Sequence, residues 1–222
     1  MYGDDSEVPK IYLDKNGKPT GMLVEVLKFI ESRSALSFQV ELLPWSRSYK
    51  NAVSGKGGII GLSRSAAREK VFYFSDPVYV GEVLLVGLKS KEANFKGLSS
   101  LDGATVGVTR GGIYGDKFQE LVDKKKIKLI EVNNVSQRLG MLMKSRVDWV
   151  VVGSGMKGLI NSLITVKGAS LEDLYISPKT ILSDYNYIGF KKNQANKKIL
   201  DLINKVLRSP EGRAYTSSYI LK

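Results

Sequence analysis

The 222-residue sequence contains no cysteine and no histidine. These absences exclude a disulfide framework, thiolate zinc sites and any catalysis that depends on a cysteine or histidine side chain. A transition-metal site would need carboxylate ligands alone, which is uncommon. No apolar run approaches 18 residues, so the sequence predicts no transmembrane helix. Residues 1–9 also lack a basic segment followed by an apolar stretch, so no signal peptide is predicted there.

Basic residues outnumber acidic ones by 34 to 22, which gives a net charge of +12 and an isoelectric point near 9.6. Such a balance is typical of proteins that bind nucleic acid, anionic lipid or anionic ligands. The lysines and arginines are dispersed, however, and the densest run is only Lys124 to Lys126. Aromatic residues do not interleave with that run as base-stacking platforms would. The pattern therefore favours a generally basic surface and argues against nucleic-acid binding.

Predicted strands and helices alternate from one end of the chain to the other, which indicates an α/β fold with mostly parallel sheets. Strands are predicted at 38–42, 59–62, 83–88, 105–108, 128–132, 147–152 and 187–190. Helices are predicted at 22–30, 46–53 with Ser46 as cap, 66–70, 98–102, 114–124, 135–144, 156–163, 193–207 and from 209 onward. The length fits two lobes of about 100 residues each. The apolar strands at 83–88 and 187–190 are candidates for the crossings between them.

Three segments carry a specific pattern, in which serine follows Gly61 after two residues, arginine follows after five more, and phenylalanine after six more. They are Trp45-Ser46-Arg47, Gly61-Leu62-Ser63-Arg64-Ser65-Ala66-Ala67-Arg68-Glu69 and Phe74-Ser75-Asp76-Pro77. This spacing resembles family 3 of the bacterial extracellular solute-binding proteins. Weaker matches extend the resemblance over essentially the whole chain; they are Asp14 to Gly21, Leu101-Asp102-Gly103, Val106-Gly107-Val108 and Arg146-Val147-Asp148.

The resemblance implies the periplasmic binding-protein type 2 fold. In that fold each lobe is a mostly parallel sheet flanked by helices, two hinge strands join the lobes, and hinge closure traps a solute in the interlobe cleft. We expect a discontinuous lobe one over residues 1–85 and 190–222, and lobe two over residues 86–189. The chain begins near the end of a predicted first strand, so we expect that an export signal has been removed.

The function implied by the resemblance is capture of a small polar solute, carrying a carboxylate, for an ABC importer. The solute would be an amino acid or a related compound, and the protein a periplasmic monomer that contacts the membrane subunits of the transporter. No cofactor, metal or nucleic acid is expected. One alternative is the ligand-sensing domain of a receptor. Another is an enzyme on the same fold, such as relatives of cyclohexadienyl dehydratase, but no general acid or base stands out by its spacing.

Candidate binding residues in lobe one centre on Arg68. Hydroxyl groups and a guanidinium fork just after a strand suit a carboxylate, and the resemblance places Gly61, Ser63 and Arg68 at the solute. Arg68 could instead pair with a structural acid such as Asp76. The resemblance also implies contacts from Trp45 and Tyr12, although either aromatic residue could simply belong to the core.

Candidate residues in lobe two lie in the loop Thr109-Arg110-Gly111-Gly112-Ile113-Tyr114. The glycine pair allows backbone amides to approach an anion, and the resemblance places Arg110, Gly112, Ile113 and Tyr114 at the solute. The loop matches neither a dinucleotide fingerprint nor a Walker loop, so nucleotide binding is not predicted.

One departure from the family bears on the solute. Amino-acid binders of this family carry an acid five residues after the aspartate of Arg-Val-Asp, and that acid pairs with the α-ammonium group. In this sequence the position is Gly153. We therefore expect a carboxylate without the ammonium group, a bulkier compound, or an amino acid whose ammonium group is met by Asp4, Glu7 or Asp184. A protein that has lost high-affinity binding and acts through a partner is the remaining alternative.

Overall fold

A computed structural model describes residues 1–220 and shows the α/β fold that the sequence predicts. The chain forms two compact units. Unit 1 comprises residues 1–6, residues 10–80 and the chain from Tyr185 onward, whereas unit 2 comprises residues 7–9 and 81–184. Unit 1 is therefore built from both ends of the sequence.

Unit 1 contains short strands that alternate with helices. Its elements are β1 (Tyr2–Asp4), β2 (Ser6–Glu7, whose second residue falls in unit 2), β3 (Ile11–Leu13), β4 (Pro19–Thr20), α1 (Met22–Ser32), β5 (Glu41–Leu43), α2 (Trp45–Val53), β6 (Ile59–Ser63), α3 (Ala66–Val71), β7 (Phe72–Phe74), the start of β8 (Tyr79–Leu88), the end of β13 (Leu182–Lys191), α7 (Gln194–Leu207) and α8 (Pro210–Ile220). Strands β5, β1 and β6 are parallel, and β13 pairs antiparallel with β6 and β7. Strands β3 and β4 form a separate antiparallel pair.

Unit 2 repeats the same alternation. Its elements are the rest of β8, 3-10 helices at Lys89–Asn94 and Leu98–Leu101, β9 (Thr105–Thr109), α4 (Asp116–Asp123), β10 (Lys128–Val132), α5 (Val135–Met143), β11 (Trp149–Val152), α6 (Gly155–Leu163), a 3-10 helix at Leu171–Asp173, β12 (Leu174–Ile176) and the start of β13. Strands β10, β9 and β11 are parallel, and β8 pairs antiparallel with β11 and β12. All four residues of β11 are buried, as expected for a strand covered on both faces.

The cores follow the apolar spacing of the sequence. In unit 1, helix α1 buries five apolar side chains against the sheet: Leu23, Val24, Val26, Leu27 and Ile30. In unit 2, one apolar cluster contains Leu84, Val150 and Leu159, and a second contains Val106 and Phe118. Because parallel strands end at the same edge of a sheet, each unit brings the residues after its strands together.

Two local predictions were wrong. The strand predicted at 38–42 is confined to Glu41–Leu43, because it pairs only with the three residues of β1 and the Phe38 amide donates to Glu31 Oε1 of α1 instead. Helix α2 begins at Trp45, with Pro44 as its cap, and not at a Ser46 cap. The Pro44 carbonyl accepts from the amides of Arg47 and Ser48, which places Ser46 inside the first turn.

Candidate functional site

In unit 1, the candidate residues gather where the parallel strands end. Asp4 is the last residue of β1, Trp45 follows β5 at the start of α2, and Ser63 is the last residue of β6. Gly61, within β6, has a φ of +82°, and β13 shifts register opposite this stretch. Gly61 is thus a bulge within the ladder, and pairing with β13 continues through Leu62 and Ser63 before the chain turns toward α3.

Arg68 is fixed by its own loop. Helix α3 begins after Ser65, whose Oγ accepts a hydrogen bond from the Arg68 amide over 3.3 Å. The Arg68 guanidinium folds back toward β6, and its Nη1 donates to the Ser63 carbonyl over 3.0 Å. The residue is only 5% exposed. The order strand, serine cap and arginine therefore holds one buried guanidinium at the end of β6.

Two aromatic rings of α2 pack around this guanidinium. Its central carbon lies 5.5 Å from the Trp45 ring centroid and 5.1 Å from that of Tyr49. Trp45 is itself buried among Ala52, Ile59 and Phe72, so it belongs to the core and also contacts Arg68. Rings in these positions stabilise the cation and restrict its orientation. Tyr49 was not predicted from the sequence, although its position four residues after Trp45 places both on one face of α2.

Asp76 is not the partner of Arg68. Its two carboxylate oxygens accept from Arg208 at the end of α7, Oδ2 from Nε over 2.7 Å and Oδ1 from Nη2 over 3.0 Å. The structural acid considered as an alternative therefore serves a different arginine.

The remaining polar and aromatic residues of interest in unit 1 have other surroundings. Asp4 is buried, and its Oδ1 accepts from both the amide and the hydroxyl of Ser6. Tyr12 is half-buried on β3 opposite Thr20. Arg64 is exposed, pairs with Glu69 and lies over the rings of Phe74 and Tyr187. Arg47 is exposed on α2.

In unit 2, the predicted loop of residues 109–114 follows β9. The Gly112 amide donates to the Thr109 carbonyl, and the Gly111 amide donates to Glu131 Oε1 over 3.1 Å. A Cβ on Gly112 would lie 2.4 Å from the Tyr114 hydroxyl, so this glycine permits the ring to approach the backbone. Arg110 is exposed, whereas Ile113 is half-buried. Both glycine amides thus have acceptors within the protein, and the predicted solute contacts of this loop stay a prediction.

Tyr114, the last residue of that loop, takes part in a cluster of polar side chains. Its hydroxyl accepts from the Thr109 amide over 2.8 Å. Burial raises the pKa of Tyr114; the nearby guanidinium of Arg138 lowers it and the carboxylate of Glu7 raises it. Arg138 is only 1% exposed, and its Nη1 donates to Thr109 Oγ1 over 2.8 Å.

Arg138 was missed by sequence reasoning. It lies on the buried face of α5 with Val135, Leu139 and Leu142. A charged residue on the apolar face of a predicted helix is the sequence feature that would have found it.

Gly153 lies directly after β11, and a Cβ added to it would meet no atom within 4 Å. Because β9 and β11 are parallel, Gly153 and the 109–114 loop lie at the same edge of the unit 2 sheet. The position has room for a side chain but offers no chemical group of its own.

Within residues 1–220, no three acidic side chains are grouped as ligands of a metal ion would be. No helix in the described part of the chain is long and apolar enough to cross a bilayer.

The family comparison gives the class of protein to which this chain belongs. The model of the bacterial extracellular solute-binding proteins, family 3, matches residues 1–211. This chain belongs to that family, as the sequence predicts. The family consists of solute-binding proteins, so the chain is a binding protein and not an enzyme.

Individual relatives are distant. The chain is 23% identical over 194 residues to the arginine-binding extracellular protein ArtP of Bacillus subtilis (strain 168), covering 86% of this chain and 72% of ArtP. It is similar to a histidine kinase sensor domain that resembles periplasmic binding proteins, with a TM-score of 0.81 and 22% identity over 98% of this chain and 93% of that one. It is also similar to AbpA of Streptococcus pneumoniae, an amino acid ABC transporter substrate-binding protein bound to L-arginine, with a TM-score of 0.79 and 19% identity over 98% and 90% of the two chains. At these identities the structural likeness shows the fold.

Proposed function

We propose that this chain is an exported, periplasmic solute-binding protein that delivers a small carboxylate-bearing solute to an ABC importer. The solute class is an amino acid or a related compound. The observation that carries the proposal is the Arg68 guanidinium, buried at the end of β6 and oriented by the Ser63 carbonyl and by the rings of Trp45 and Tyr49.

The chemistry of Arg68 favours a carboxylate. A guanidinium donates two parallel hydrogen bonds to a carboxylate, and such charge-assisted pairs are stronger than neutral hydrogen bonds. The aromatic rings hold the fork in a fixed orientation, so little side-chain entropy is lost on binding. A relative named for arginine binding and a similar structure bound to L-arginine support an amino acid or a close analogue as the solute.

We further propose that units 1 and 2 are the two lobes expected from the sequence, with Trp45, Ser63 and Arg68 contacting the solute from unit 1. The loop carrying Arg110, Gly112, Ile113 and Tyr114 contributes from unit 2. The protein acts as a monomer whose macromolecular partners are the membrane subunits of the transporter.

A sensor role is the second candidate, because a histidine kinase sensor domain has a similar fold over nearly the whole chain. The two roles share the same solute chemistry and differ in what the domain is attached to. The complete reading frame and its gene neighbourhood distinguish them. Adjacent permease and ATPase genes support the importer, whereas a transmembrane segment and a kinase domain in the same polypeptide support the sensor.

A thermal-shift screen followed by isothermal titration tests the solute class. The panel contains the twenty common amino acids, dicarboxylates, opines and other small anions, measured with the wild-type protein and Arg68→Ala. A true solute raises the melting temperature of the wild-type protein by an amount set by its concentration relative to Kd. Arg68→Ala should show no such shift. A solute without a carboxylate that binds both proteins equally would contradict the proposal.

A further inference from the structure

A cavity of about 500 Å³ lies beside β12, and all of its lining residues belong to unit 2. This volume is typical of sites that bind small organic molecules, which measure roughly 300–1,000 Å³. The walls come from the segments around residues 95–98 and 175–181, together with Leu85 of β8 and Lys117 of α4. None of these residues is among the proposed solute contacts.

One wall of the cavity is an outward loop in the chain that follows β12. The Ser177 amide donates to the Leu85 carbonyl, and the Ile181 amide donates to the Val83 carbonyl. The four steps from 177 to 181 thus lie opposite the two steps from 85 to 83, so residues 178–180 loop away from β8. The Ser177 Oγ donates to the Lys179 carbonyl over 2.8 Å, which fixes the shape of this loop.

Part of the lining is apolar and aromatic. Leu85 is fully buried, and the partly buried side chains of Phe95, Tyr175 and Ile181 pack against the same apolar cluster. The ring centroids of Phe95 and Tyr175 are 5.7 Å apart, with the rings tilted by 57°. Because both rings line the cavity and are only half-buried, they offer an apolar surface on which another ring can pack.

The rest of the lining is polar and carries positive charge. Lys96, Lys117 and Lys179 line the cavity and are exposed. Among the residues that the structure describes, none of these three lysines forms a salt bridge, and no acidic residue lines the cavity. Three ammonium groups without a counter-ion beside an apolar wall favour a ligand that is both apolar and anionic.

We infer that this cavity is a second binding site, which takes an aromatic carboxylate. The ring of the ligand packs against Phe95 and Tyr175, and its carboxylate accepts from the lysine ammonium groups. A small inorganic anion would leave the apolar wall uncovered, and a neutral aromatic compound would leave the ammonium groups without a counter-ion. The site lies wholly within unit 2 and does not depend on Arg68 or on the proposed function.

The experiment uses three probes that separate the contribution of the ring from that of the charge. 2-Naphthoate carries two fused rings and a carboxylate, 2-naphthamide carries the same rings without the charge, and acetate carries the carboxylate without the rings. Each probe is measured by isothermal titration on Arg68→Ala as the parent protein, because that substitution removes the carboxylate site proposed in unit 1.

Two triple variants of this parent test the lysines. The cavity variant combines Lys96→Gln, Lys117→Gln and Lys179→Gln, which keep most of the side-chain length and remove the charge. The control variant replaces the same number of exposed unit 2 lysines that do not line the cavity, so its net charge is identical; its substitutions are Lys128→Gln, Lys144→Gln and Lys167→Gln.

2-Naphthoate should bind the parent protein, and the control variant should match the parent within about twofold. The cavity variant should bind 2-naphthoate about fivefold more weakly or worse, since three exposed charge contacts are each modest but act together. The parent should bind 2-naphthamide and acetate at least about fivefold more weakly than 2-naphthoate, because each lacks one half of the interaction.

Backbone amide chemical shifts locate the probe on the wild-type protein, without any substitution. Titration with 2-naphthoate should shift the amides of residues 96–98 and 179–181. If those amides do not respond and only residues 63–68 shift, the probe binds at Arg68, and the second site is rejected while the proposed function stands.

Three further outcomes would overturn the second site. Equal affinity for 2-naphthoate and 2-naphthamide would show that the lysines do not select an anion. An equal loss of affinity in the cavity and control variants would show that only net charge matters. Absence of 2-naphthoate binding to the parent would reject the site directly. Each of these results leaves the proposed function standing, whereas failure of the solute panel would reject that function and leave the second site unaffected.

Discussion

The Arg208 guanidinium holds the Asp76 carboxylate with two hydrogen bonds, of 2.7 and 3.0 Å, and so ties the loop after β7 to the end of α7. Arg68, in the same unit, instead donates to the Ser63 carbonyl and packs against two aromatic rings. One arginine pairs with a structural acid at the surface, whereas the other is buried at a strand end. Variants of these two arginines can therefore be compared, with Arg208 as the control for Arg68.

Arg68→Ala should lower the affinity for the carboxylate solute by ~2 kcal/mol or more, because the charged contact is made away from water. Arg68→Lys should recover only part of that loss, since an ammonium cannot form the bidentate pair. Isothermal titration measures both variants, with Arg208→Ala as the matched control. We expect Arg208→Ala to bind as the wild-type protein does, because its side chain is 61% exposed and pairs with Asp76, which is not a proposed solute contact. Equal losses in both arginine variants would contradict a specific role for Arg68.

Gly153→Asp should increase the affinity for α-amino acids relative to the same compounds without the amino group, by roughly tenfold. The new carboxylate enters open space, since nothing lies within 4 Å of the added Cβ, so the fold should be unaffected. Competition between L-norvaline and pentanoate reports the change, and Gly153→Asn controls for side-chain volume. If the aspartate and asparagine variants bind alike, the strand end is not where the ammonium group lies.

Asp148 makes the stability of unit 2 depend on pH. The Thr105 amide and the Lys91 ammonium hold the pKa of this carboxyl below its ordinary value of 3.8, despite partial burial. A lowered pKa contributes stability that is present above the ordinary value and is lost as pH falls through the folded-state pKa. Asp148→Asn should therefore melt below the wild-type protein at neutral pH, and the difference should shrink in acid. If the melting temperatures of Asp148→Asn and the wild-type protein differ by the same amount from neutral pH into strong acid, the charge of Asp148 does not contribute to stability.

Two glycines should respond to alanine in opposite directions. Gly61 has a left-handed φ of +82°, so Gly61→Ala should destabilise the protein by about 1–2 kcal/mol. Gly140 lies within α5, where an added Cβ meets no atom, so Gly140→Ala should stabilise the helix by about 0.5–1 kcal/mol. Urea denaturation measures both values. A neutral Gly61→Ala would mean that the backbone at the end of β6 relaxes easily, which weakens the case that it fixes Ser63 and Arg68.

The sequence by itself determined the family, the α/β class and most of the longer elements. Apolar periodicity located α1 and α7, and continuous apolar runs located β9 and β11, because these segments bury a whole face or both faces. The spacing from Gly61 to Arg68 located the carboxylate candidate, since it depends only on one strand end and one helical turn. Short strands such as β7 and β12 escaped prediction, because three residues become a strand only through pairing with β13 and β8.

The tertiary structure decided which polar groups meet. Sequence spacing could not assign Asp76 to Arg208, since these residues are 132 positions apart. It could not predict that Tyr49 contacts Arg68, or that Arg138 bonds to Thr109, because those contacts depend on how elements pack within each unit. The apolar periodicity of a sequence reflects interactions within single helices and strands. The partners of a buried charge come from distant segments, and only the folded chain shows that the Oε2 of Glu7 has none.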